Sequence, residues 1–188
     1  MVLAWHVDYW DYLGWKDPFG SKAHTARQKR LLEAKKIRQM QTPHLLVNNT
    51  PPASGKHKEA LADAAQRKAR VRVDGTATLV AKKIKVAAKL TRIDETLEFA
   101  QGFGVVPVLY RKTATTTCAA GENKGATLVE YFVVLATRDA LKPGGDLNAE
   151  FDLPAGLAAG DLGVALLAED GLAMETLDCV ALPVSAGP

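Results

Sequence analysis

With 188 residues the chain can hold one sizeable core or two small ones, and its 47% apolar and 24% charged content is ordinary for a globular protein. No apolar run approaches the length of a membrane span, and the first residues lack the basic stretch and apolar core of a secretion signal. The net charge of +3 hides a step, since residues 1–73 carry 14 Lys and Arg against 6 acids and residues 74–188 carry 10 against 15. That step predicts a domain boundary at Asp74-Gly75. A basic half raises nucleic acid as a partner. The aromatics, however, lie in an acidic stretch rather than among the lysines, so a solvated helix face is the better reading.

Residues 3–19, LAWHVDYWDYLGWKDPF, hold all three tryptophans and six of the twelve aromatics, beside His6, Asp8, Asp11 and Asp17. Residues 2–7 are apolar and partly β-branched, as in a buried strand, with His6 and Asp8 on one face and Trp5, Val7 and Tyr9 on the other. Gly14 and Asp17-Pro18 then turn the chain toward a helix. A histidine and a carboxylate two apart at a strand's end can orient one another for proton transfer. The same residues also read as a local hydrogen bond at His6 with Asp8 and Asp11 capping turns. A metal site is the weakest reading, because no second His or Cys lies nearby.

Ser21 stands at a helix cap position, and helix formers dominate residues 22–39. Ala23, Ala26, Leu31, Ala34, Ile37 and Met40 share one broad side, interrupted by Arg27 and Arg30, whose stems are expected to snorkel. Thr42-Pro43 ends the helix, residues 44–47 form a short strand, and Asn48-Asn49 begins a turn. Gly55-Lys56 is not a phosphate loop, because the earlier glycine and the following Ser or Thr are missing. Residues 56–70 read as a second helix with Ala60, Leu61, Ala64 and Ala65 inward. Past Asp74 the period changes to two: Ile84, Val86, Ala88 and Leu90 alternate with polar or small residues. Further strands are expected at 105–110, 113–119, 127–137 and 149–153, with Pro107 placing the first at an edge or bulge. Asp170-Gly171 reads as the turn of a hairpin joining 162–169 to 172–182. Seven or so short strands with regular turns predict a small antiparallel β-sandwich. Cys118 and Cys179 lie in apolar runs without metal or redox spacing and read as buried free thiols.

The run HVDYWDYLGWKDPF at 6–19, TARQ at 25–28, TPHLLVN at 42–48 and GENKG at 121–125 together resemble the hallmarks of a secreted bacterial family (domain of unknown function 1223). The resemblance spans most of the chain. It implies an α+β protein: a truncated thioredoxin-like α/β domain over residues 1–73, then a small β-sandwich domain over 74–188. It also implies that Pro43 is the cis proline that faces a Cys-x-x-Cys pair in such folds. Yet family members open with a signal, a first strand and that Cys pair, whereas here Met1 directly precedes the second strand and no Cys occurs before Cys118.

The candidate site is therefore His6, Asp8, Trp10, Asp11, Asp17 and Pro43, with no intact catalytic motif, no metal and no cofactor. The favoured function is a non-catalytic thioredoxin-like protein. One alternative is an exported thiol-disulfide oxidoreductase whose Cys pair lies upstream; another is a module that binds a protein or peptide. The resemblance implies export, against the missing signal. Without a first strand, residues 2–7 and 44–47 would expose unpaired backbone edges, predicting loose packing of residues 1–73 or self-association rather than direct closure. No membrane or nucleic-acid partner is expected.

Overall fold

The computed structural model describes residues 1–99 and 102–187. Within the described residues it is a mixed α+β protein with two α-helices, α1 (Lys22–Glu33) and α2 (His57–Gln66). Seven strands follow: β1 (Val71–Val80), β2 (Lys83–Arg92), β3 (Gly104–Thr117), β4 (Thr127–Thr137), β5 (Asn148–Asp152), β6 (Leu162–Glu169) and β7 (Thr176–Ala186). They form one sheet in the order β4-β3-β6-β7-β1-β2-β5. The expected two-sheet sandwich is thus a single sheet that curls. Its two halves join where β1 and β7 run parallel over Ala77–Leu79 and Val184–Ala186. The other pairings are antiparallel.

The curl encloses the main core. Val71, Val73 and Ala77 of β1, Ile84 and Val86 of β2 and Phe151 of β5 meet Leu162, Val164 and Leu166 of β6. Alternation explains this, since inward residues recur at even spacing along each strand. β6 is buried along its whole length. Its other face, Ala165 and Leu167, packs with Val108, Tyr110 and Val134, and is covered by Leu3 and Trp5 of the N-terminal segment. Gly163 has no side chain because the Tyr110 ring lies where one would be. Gly163→Ala should therefore cost about 1–3 kcal/mol through overpacking, read as a lowered denaturation midpoint.

Several expectations meet corrections here. The boundary predicted at Asp74 falls inside β1, whose pairing with β2 already begins at Val71. Residues 113–117 are not a separate strand but the continuation of β3, whose register with β4 shifts between Leu109 and Tyr110, where Leu135 of β4 is the extra residue. Pro107 does not lie on an edge strand: β3 is interior, and Pro107 marks the point where β4 pairing stops. β7 begins at Thr176, because residues 170–175 form a loop in which Asp170 accepts from Leu172 and Ala173 N–H. That loop sends Met174 against Leu31 and Ile37.

α1 begins as read, with Ser21 Oγ accepting from Ala23 N–H at 3.2 Å, but it stops six residues early. Lys35 takes a left-handed φ of 56°, and Lys35 and Lys36 N–H bond to Leu32 and Leu31 carbonyls at 3.0 and 2.9 Å. This is a Schellman ending with lysine where glycine is usual, and it folds Ile37 back onto Leu31. The buried face of α1 is His24, Arg27 and Leu31, with Ala23 exposed. α2 buries none of its residues, and Leu61 is 57% exposed, so the inward face expected there does not form.

Neither expected N-terminal strand forms. Ala4 makes one parallel bridge to Val133, its N–H reaching Phe132 O and its carbonyl accepting from Val134 N–H, both at 2.9 Å. Residues 44–47 end in a tight turn, with Val47 and Thr50 exchanging backbone bonds across Asn48 and Asn49. The open edges predicted for two facing strands therefore do not arise as such. Residues 1–7 and α1 instead lean on β4 and β6.

Candidate functional site

The bridge at Ala4 fixes the next residues against β4. His6 Nδ1 lies 2.6 Å from Asp17 Oδ2, and its Nε2 lies 3.6 Å from Glu130 Oε1 on β4. Asp17 Oδ1 accepts the Phe19 N–H at 2.8 Å, and Glu130 Oε2 accepts from Thr116 Oγ1 at 2.9 Å. The imidazole thus sits between two carboxylates, each held by a further hydrogen bond. Asp8 is not its partner. The chain leaves extended geometry at Asp8, whose carbonyl accepts Asp11 N–H at 3.1 Å, so the two-residue alternation ends. Its carboxylate turns to α1, accepting from Thr25 Oγ1 at 2.5 Å. Asp11 caps the same loop, its Oδ1 accepting Asp17 N–H at 3.4 Å.

Charge follows this geometry. The hydrogen bond to Asp17 raises the His6 pKa, against an opposing effect of burial, and the Asp17 and Glu130 charges add to it. At Asp17 burial is the largest influence and disfavours ionisation. Hydrogen bonds from His6 and the Phe19 backbone outweigh it and hold the carboxyl below its ordinary value. Burial lowers the pKa of His24, which favours its neutral form. Its Nδ1 lies 2.9 Å from the His6 carbonyl, which can only accept, so Nδ1 carries the proton. A raised histidine stabilises fully below its unfolded value of 6.5 and loses that contribution as pH rises through its folded value. A lowered aspartate contributes above 3.8 and loses it as pH falls through its folded value. The pair should therefore help most between these limits. Asp17→Asn should lower the His6 midpoint in an NMR titration, while Asp8→Asn should leave it unmoved.

The aromatics divide. Trp5 turns inward, with Arg27 Cζ 4.6 Å above its ring and His24 edge-on at 5.3 Å. Trp15 packs on the 121–125 turn, where a side chain at Gly121 (φ 75°) would press on its Cβ. Trp10 faces outward at 43% exposure, yet its Nε1–H donates to Thr42 Oγ1 at 2.8 Å. Tyr9 and Tyr12 flank it at 5.2 and 6.3 Å between ring centroids. Tyr12 and Leu13 are 76% and 59% exposed. Thr42-Pro43 is cis, as the resemblance implied, and Pro43 is exposed beside this surface.

The sequence reading missed a second constellation. Arg27 does not snorkel: it is buried and makes a fork with Glu169, at 3.0 Å from Nη1 and 2.5 Å from Nη2. Asn49 Nδ2 donates to Glu169 Oε1 at 3.0 Å and to Met174 O at 2.9 Å. The available signal was an arginine interrupting the apolar side of α1 and a lone glutamate ending the apolar run of β6. Glu130, Thr25 and Thr42 carried no signal of their own. Cys118 is buried and Cys179 exposed, and both are free, which corrects the expectation that both are buried. Among the described residues no group of three His, Cys, Asp or Glu side chains is placed to hold a metal.

A family model described as "Protein of unknown function (DUF1223)" matches residues 1–169. The chain belongs to this family. A search of curated proteins finds no match for this DUF1223 chain. Among solved structures it is similar to HBP35 of Porphyromonas gingivalis, at 16% identity and a TM-score of 0.56, over 87% of this chain and 60% of that one. It therefore spans less than two thirds of HBP35, and at that identity the likeness is one of fold. A domain of the outer membrane lipoprotein Omp28 from the same organism matches at 16% identity and a TM-score of 0.41, over 65% of this chain and 93% of that one.

Proposed function

We propose that this DUF1223 protein is a binding module of thioredoxin-like ancestry, with the residues ahead of β1 belonging to that unit. Its function in this reading is to bind an extended peptide segment bearing apolar side chains. The observation that carries it is Trp10: a large ring, exposed, but fixed by its hydrogen bond to Thr42 and flanked by Tyr12. A tryptophan that need not be ordered on binding is the usual anchor of an interface hot spot. The neighbouring acids are already used, Asp8 by Thr25, Asp11 by Asp17 N–H and Asp17 by His6. The large exposed surface there is aromatic, formed by Trp10 and Tyr12, and it favours apolar side chains on the ligand.

The oxidoreductase alternative needs a thiol of lowered pKa at a helix N-terminus. Cys118 is buried just past the end of β3, and Cys179 lies within β7 with its thiol pushed above the ordinary range by desolvation. In turbidimetric insulin reduction with dithiothreitol the chain should not accelerate precipitation. Acceleration that Cys118→Ser or Cys179→Ser abolishes would favour the alternative.

The direct test is an array of random 15-residue peptides probed with the full chain. Peptides that bind should be rich in apolar residues and should lose about 30-fold in affinity, about 2 kcal/mol, with Trp10→Ala. Binders indifferent to Trp10→Ala, or an array without binders, would overturn the reading.

A further inference from the structure

His6 is the one titratable side chain in residues 1–7, which meet β4 through the backbone bridge at Ala4 and through Leu3 and Trp5, packed on the cluster that includes Val134. Facing it are Asp17 from the loop before α1 and Glu130 from β4. From α1, His24 reaches the His6 carbonyl, and Arg27 lies over the Trp5 ring with its charge met by Glu169. We propose that His6 is a pH-operated latch that fastens the N-terminal segment to the edge strand β4.

The two ring nitrogens have different roles. As imidazolium, His6 donates from Nδ1 to Asp17 and presents Nε2–H to Glu130. When one proton is lost, the shorter contact to Asp17, at 2.6 Å, keeps the remaining proton on Nδ1. Nε2 then turns a lone pair toward the Glu130 carboxylate, 3.6 Å away, and attraction becomes repulsion. Glu130 keeps its bond from Thr116 and has no reason to stay near His6. Deprotonation thus opens the β4 half of the bridge and leaves the Asp17 half closed.

A second feature places the release. Phe132, between Glu130 and the bridged Val133, holds a φ of 54°, a left-handed conformation that a bulky side chain keeps only when its surroundings enforce it. Its carbonyl is the acceptor for Ala4 N–H. The latch and the Ala4 bridge thus flank a strained residue, and losing Glu130's tether removes one of the contacts that hold it, beside the pairing of Tyr131 and Val133 with β3. Above the His6 midpoint the Ala4 bridge should open more readily and expose the strand edge at 132–134, while Leu3 and Trp5 keep their packing on the sheet.

Amide hydrogen exchange of the full chain by NMR tests this, with protection factors corrected for the intrinsic dependence on pH and the His6 midpoint read from its ring resonances. Ala4 and Val134 should be protected below the midpoint and lose at least tenfold across it, while β6 and β7 stay flat. Glu130→Gln, of equal size and uncharged, should abolish the step. Asp17→Asn should keep the step but move it to lower pH with the His6 midpoint. Flat or absent protection at Ala4 and Val134 on both sides of the midpoint would overturn the latch. So would a step that survives Glu130→Gln, or one shared by β6 and β7, which would be global unfolding.

Discussion

Glu169→Ala should destabilise the protein by about 3–5 kcal/mol, because it strands the buried Arg27 guanidinium without a counter-charge. Arg27 also loses its fork, and Asn49 loses one acceptor of the bonds that hold the 48–50 turn against the 170–175 loop. For a chain of this length that loss lowers the thermal midpoint by on the order of 10 °C. The cause can be separated from reduced packing. Adding Arg27→Met to Glu169→Ala removes the stranded charge, so the double variant should recover much of the loss in urea denaturation. A double variant no more stable than Glu169→Ala would mean that desolvation of Arg27 is not the source.

Phe151→Ala should cost a similar ~3–5 kcal/mol, for a different reason. Phe151 is 1% exposed and fills the curled core opposite Ile84, its pairing partner on β2. Arg138 Cζ lies 4.5 Å from its ring centroid, a cation–π interaction that the same substitution removes. β5 is an edge strand of five residues, paired to β2, so no further strand beyond it can move in to fill the cavity. Because the site lies by the β4 end of the sheet, surviving folded protein should keep its peptide affinity. A parallel loss of affinity would show that the two regions are coupled.

The parts of the fold legible in the sequence are those whose signals are local. β4 and β6 run over Thr127–Thr137 and Leu162–Glu169, the bounds their apolar runs predict, and α1 starts where Ser21 caps it. Three of the misread elements share a cause: a left-handed turn position filled by a residue other than glycine. Lys35 ends α1 at φ 56° and Met174 delays β7 at φ 52°. Ala81 and Lys82, at 47° and 66°, make the two-residue turn that joins β1 to β2. No Asn-Gly or Asp-Gly marks that hairpin, and β1 went unread. Tertiary packing enforces these conformations, so propensity cannot announce them.

The site was half legible. The density of aromatics and acids pointed to residues 3–19, where His6 bonds to Asp17 and, separately, Trp10 bonds to Thr42. The pairing within it was not readable. Alternation assigned Asp8 to His6, but the chain leaves extended geometry at Asp8, and the true partner is eleven residues from His6. Glu130 reaches His6 only because Ala4 docks on β4, a meeting of distant parts of the chain that leaves no periodic trace.

The claim that the outward aromatics form a peptide-binding face is tested most directly by chemical-shift mapping. A 15-residue peptide selected on the array is titrated into the 15N-labelled chain below the His6 midpoint. The indole Nε1–H of Trp10 should shift most, together with the amides of Tyr12, Leu13 and Thr42, while the Trp5 and Trp15 indoles, packed against the rest of the chain, move little. Shifts centred instead on the outer face of β1 and β2, with the Trp10 indole unmoved, would contradict it.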